Sequence, residues 1–147
     1  MSLLRLLTDI HGHLGVLAAV ALIHPALLLR RGRPLTRGMR WAVTLSTGLV
    51  TLAFGLGIGL YEPYRAEVRR PLFFASRTAG LLFETKEHLA FMALCLALGG
   101  AACALGAPRG DPGLRRLAAA LFLGAALLAG AVVALGTYVA SVRTFAG

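Results

Sequence analysis

Residues 117–142 read LAAALFLGAALLAGAVVALGTYVASV, without a single Asp, Glu, Lys or Arg. Wound as a helix at ~1.5 Å per residue, this stretch is longer than the ~30 Å hydrocarbon core of a bilayer. A soluble helix of that length would carry charges along one face at 3.6-residue spacing. Here every face is apolar, so the surrounding solvent has to be lipid. Residues 10–29, 41–61 and 88–107 form three further blocks of the same kind. All 15 basic and 6 acidic residues of the 147-residue chain fall between or outside the four blocks. The chain is 58% hydrophobic, above the ~45–50% of soluble domains, and the excess lies in the blocks.

These observations predict an all-α integral-membrane four-helix bundle, up-down-up-down, forming a single membrane domain over residues 1–147. The stretch 62–87 becomes an outer loop between the second and third spans. It holds YEPYR at 61–65 and an apolar run at 72–83 interrupted by Arg77. One or two short amphipathic helices lying in the interface are expected there, with Pro71 breaking the helix before it. The first block ends in an arginine run rather than a small-residue cleavage site, so it reads as a retained span.

The net charge of +9 does not indicate nucleic-acid binding. The basic residues flank spans, where Lys and Arg set topology and meet lipid headgroups. The two short loops and their flanks hold eight basic residues against one acid; the rest of the chain holds seven against five. That asymmetry puts the short loops in the cytoplasm, and both termini and the 62–87 loop on the outer, periplasmic side of a bacterial inner membrane. Cys95 and Cys103 are ~12 Å apart along one helix, too far to bridge, and read as packing residues.

Ionisable residues inside spans mark functional sites. All four histidines lie in or at the ends of spans. His11, His13 and His88 fall at one depth near the outer surface. Imidazole ligates haem iron, Zn, Cu and non-haem iron. One imidazole from each of two helices would hold a b-type haem, with His13 and His88 as the axial pair and His11 as the substitute for His13. Arg65 and Tyr61 would line the cofactor site, Arg pairing with propionates and Tyr donating to a quinone carbonyl. Lys86, Tyr64, Tyr138 and Arg143 share the layer, where an interfacial belt of aromatic and basic residues is the alternative account. A metal site of Cu, Zn or Fe would draw on His13, His88, His11, Glu84 and Glu62, although no E-x-x-H motif is present. His24 lies deeper. Gly99 and Gly100 occupy the depth where a second haem would need a ligand, so His24 is expected to pair with a hydroxyl of Thr44, Ser46 or Thr47. Pro25 leaves the Ala21 carbonyl without its helical donor.

Three functions follow as expectations. The first is a small membrane electron-transfer subunit with one haem b, exchanging electrons with quinone. The second is a structural or assembly subunit that binds no cofactor and contacts other membrane subunits, or a second copy, through Gly/Ala faces such as Gly55–Gly59. The third is a metal-binding membrane protein. No soluble-enzyme motif is present.

Overall fold

A computed structural model describes residues 3–108 and 110–145, with side chains described as far as Val142. It contains α1 (Leu3–Leu29), α2 (Arg37–Gly59), α3 (Tyr61–Glu67), α4 (Arg69–Ala75), α5 (Arg77–Gly106) and α6 (Pro112–Phe145), and no strand among the described residues. Four stretches are long and apolar enough to cross a membrane: Leu3–Leu29, Arg37–Glu67, Arg77–Gly106 and Pro112–Val142. Only 22–33% of the most apolar window of each is buried within the bundle. Leu127, Val20 and Leu52 are among the large side chains left outside. So much bare apolar surface calls for a lipid environment, and the protein is an integral membrane protein in contact with the bilayer.

Local signals set the helix ends. Thr36 caps α2 by accepting from the Met39 N–H at 3.3 Å, and Ser76 caps α5 by accepting from the Ala79 N–H at 3.2 Å. Asp111 Oδ1 accepts from the Leu114 N–H at 3.0 Å in front of Pro112, the first residue of α6. The Ser76 cap changes how the 62–87 stretch is built. Residues 77–87 are not a separate interfacial segment but the first turns of α5, while α3 and α4 are seven residues each. Pro71 sits in the first turn of α4, where the N–H it lacks has no intrahelical partner anyway, so the break falls at Val68 instead.

α5 packs most extensively on α6, α1 packs on α6 and α2, and α2 closes the ring on α5. The α1/α5 and α2/α6 pairs are diagonal and do not pack on each other to any extent. Phe122, Leu22, Leu29, Val43 and Pro25 fill the centre. Small residues bring α5 close to α6: a Cβ on Gly100 would lie 3.1 Å from the Phe122 ring. Gly55 and Gly59 do not act in this way. Neither has a neighbour within 4 Å of its Cβ position, so this pair faces outward and is not an internal seam.

Two polar contacts hold the end that carries the short loops. The Arg115 side chain, 2% exposed, donates from Nε to the Gly32 carbonyl at 2.9 Å and from Nη1 to the Pro108 carbonyl at 2.8 Å. It thereby ties the α1–α2 connection to the α5–α6 connection. Deeper in, Ser46 Oγ donates to the Ala21 carbonyl at 2.8 Å, the carbonyl that Pro25 deprives of a helical partner. Ser46, one of the three hydroxyls expected to serve His24, thus serves the backbone, and His24 lies on the exposed face of α1. Ser46→Ala is expected to lower unfolding stability by about 1 kcal/mol in micelles. An unchanged unfolding midpoint would show that the carbonyl is satisfied without the serine.

Candidate functional site at the connector end of the bundle

The end opposite the Arg115 clasp carries α3 and α4, and it gathers His11, His13, Lys86 and His88 of the spans. Helical phase decides which of them point inward. His11 shares a face with the buried Ala18, Leu22, Pro25 and Leu29, which follow it at heptad-like spacing. Lys86 stands in the same relation to the buried Ala93, Ala97, Gly100 and Ala104. His13 and His88 each come two residues later, about 200° around the helix, and both are exposed. The histidine pair expected to face across the bundle is therefore carried on outward faces of two diagonal helices, and a histidine and a lysine point into the bundle.

Glycines make room for the two inward side chains. A Cβ on Gly57 of α2 would lie 3.1 Å from Cε1 of His11, and a Cβ on Gly136 of α6 would lie 3.7 Å from Cδ of Lys86. All four long helices thus contribute, two with an ionisable residue and two with a glycine. The His11 ring lies beside the Ala53 carbonyl and within electrostatic reach of Lys86. Its Nδ1 is buried and has no hydrogen-bond partner. Lys86 Nζ sits 4.4 Å from the centroid of Phe83. Phe83 in turn stacks on Tyr64 at 3.7 Å between centroids and 11° between planes. The Tyr64 hydroxyl is likewise buried without a partner. Glu87 lies within electrostatic reach of both Lys86 and Tyr64.

At the rim, Arg69 and Glu84 form an ion pair at 2.7 Å. The Glu84 carboxylate, by hydrogen bond and by charge, holds the Arg69 guanidinium above its ordinary pKa. Both partners are substantially exposed, so the pair adds little to stability.

The outward histidines have a common geometry. His13 Nδ1 lies 2.7 Å from the Asp9 carbonyl, and His88 Nδ1 lies 2.8 Å from the Glu84 carbonyl. A carbonyl only accepts, so Nδ1 carries the proton in each, and in the neutral ring Nε2 keeps its lone pair. Tyr61, Glu62 and Arg65 lie on the exposed surface of α3. Tyr138 is exposed on α6, and the Arg143 side chain falls outside the described residues. Among the described residues no three His, Cys, Asp or Glu side chains converge into a group suited to a metal ion, so His11, His13, His88, Glu62 and Glu84 are not assembled into one.

Tyr64 and Lys86 were legible in the sequence only by depth, as belt residues or as the rim of a pocket. The signal that singles out Lys86 is its register with the small residues of α5. Nothing in the sequence brings Tyr64 onto Phe83, because that stack depends on the fold of α3 and α4. No protein-family model, curated protein or solved structure matches the chain.

Proposed function

We propose that the protein is a small integral-membrane electron-transfer subunit whose redox group is held at the connector end. The observation that carries this reading is the convergence of all four long helices on His11 and Lys86, with the His11 Nδ1 and Tyr64 hydroxyl buried and unpartnered beside them. Buried polar groups are normally satisfied, and ionisable residues within spans are costly. A site that keeps both at one end of a bundle is suited to receiving a polar ligand there.

A b-type haem is the cofactor form of this proposal. The exposed Nε2 atoms of His13 and His88 are the imidazole nitrogens free for axial ligation. They lie on separate corners of the bundle, so each would serve as a single ligand from this chain. The test is a reduced-minus-oxidised visible spectrum of protein purified in mild detergent, with iron analysis on the same sample. A Soret band and a sharp α band that disappear in His13→Ala or His88→Ala support haem. A colourless, iron-free protein removes the haem form.

The orientation belongs to the same proposal. The arginine-rich short loops face the cytoplasm of a bacterial inner membrane, the four spans run alternately up and down, and the connector end faces the periplasm. In a Cys95→Ala/Cys103→Ala background, an impermeant thiol reagent is expected to label Glu67→Cys in intact cells and Gly110→Cys only after lysis. The reverse pattern inverts the assignment.

The assembly-subunit reading keeps one specific observation. An open groove of about 620 Å³ runs between α2 and α5, lined by Thr44, Gly48, Thr51, Gly55 and Ala101 among others. Small residues along an outward groove suit close approach of a helix from another membrane subunit or a second copy.

A further inference from the structure

Resting on the electron-transfer reading, we propose that the His11–Lys86 site binds the planar head of an isoprenoid quinone. The first argument is the polarity of the site. Lys86 Nζ and the Tyr64 hydroxyl are hydrogen-bond donors. Glu87 lies within electrostatic reach of both, yet among the described residues it forms no ion pair with the ammonium, which sits over the face of Phe83, and the Tyr64 hydroxyl has no hydrogen-bond partner. A ligand here has to offer acceptor oxygens, and a quinone offers two carbonyls. The imidazole of His11 adds a nitrogen that donates or accepts according to its tautomer, and Nδ1 is the atom left over.

The second argument is shape. Tyr64 and Phe83 already stack in parallel here, with the Lys86 ammonium over the Phe83 ring, so this end of the bundle holds planar rings face to face beside a cation. The third is orientation: Gly57 and Gly136 let the His11 and Lys86 side chains turn into the bundle and hold them there. The fourth is depth. The site lies near one end of the spans, so a ligand head held there leaves its isoprenoid chain free to run toward the bilayer centre. A metal cation would meet the Lys86 ammonium without three anionic or imidazole ligands to offset it. A phospholipid head or fatty-acid carboxylate shares the acceptor chemistry but not the planar ring.

The test uses the full chain in quinone-free phosphatidylcholine nanodiscs, with an azido-benzoquinone carrying a short prenyl chain as photoprobe. Adducts are expected on the segment containing Tyr64 or on that containing Phe83–Glu87. Lys86→Met, which relieves a buried charge and so does not threaten folding, should raise the half-saturating probe concentration about tenfold or more. Tyr64→Phe, a second variant of nearly unchanged shape, should raise it about fivefold. Excess phosphatidylglycerol or oleate should not displace the probe, whereas an unlabelled quinone should. Equal saturation in the wild type and both variants overturns the proposal, as does labelling confined to the α2–α5 groove. Displacement by phosphatidylglycerol or oleate also overturns it and assigns the site to an anionic lipid. A protein that takes up electrons but fails this test loses the quinone and keeps its electron-transfer reading; one that takes up none loses that reading.

Discussion

Arg115→Ala is expected to destabilise the bundle by about 3 kcal/mol. Arg115 is buried, and its guanidinium spans two carbonyls on different connections, Gly32 at 2.9 Å and Pro108 at 2.8 Å. Hydrogen bonds from a charged donor contribute about 1.5–3 kcal/mol each, and truncation leaves both acceptors without that donor. The two losses do not add fully, because the loops lie at the end of the bundle, where water can partly replace the donor. Arg115→Lys should recover less than half of the loss, since a single ammonium cannot reproduce the fork that reaches both carbonyls. Denaturant unfolding in detergent micelles measures both variants. A loss below about 1 kcal/mol for the alanine variant would mean that the clasp is dispensable.

Gly32→Val should cost about 3 kcal/mol by a different mechanism at the same place. Gly32 has φ +65°, and a Cβ there would lie 2.9 Å from both the Cβ and the carbonyl oxygen of Pro112. The left-handed conformation costs a side-chain-bearing residue about 1–2 kcal/mol, and overpacking adds about 1–3 kcal/mol. Gly32→Asn separates the two terms, since asparagine tolerates the conformation but still carries the colliding Cβ. The double variant Gly32→Val/Arg115→Ala should be less destabilised than the sum of its singles, because displacing Gly32 already moves the carbonyl that Arg115 holds. Strict additivity would mean that the two residues act independently.

The four spans were readable from the sequence because lipid imposes a simple rule: charge-free stretches of at least twenty residues have few other uses. Their true ends were less readable. α5 begins at Arg77 because Ser76 caps it, and a cap outweighs the charged residues that follow. The site was half legible. Depth alone put His11, His13, Lys86 and His88 in one layer, but depth says nothing of direction. Phase separates them, since His11 and Lys86 keep register with Ala18 and Ala93 while His13 and His88 do not. Arg115 was hidden for another reason. An arginine beside a span is normally a topology marker, and its burial depends on Gly32 being brought to it from a distant part of the chain, with Pro108 of its own connection on the other side. Ser46 shows a correct premise with the wrong partner: the orphaned Ala21 carbonyl was visible in Pro25, and the hydroxyl went to it rather than to His24.

The most direct test of the proposed function is a potentiometric titration of the protein in native-lipid nanodiscs, extracted without delipidation. The electron-transfer reading predicts reversible uptake of electrons in proportion to the amount of chain, lost on exhaustive extraction of the bound redox group. No electron uptake above that of empty nanodiscs would contradict it and leave a membrane subunit that serves assembly alone.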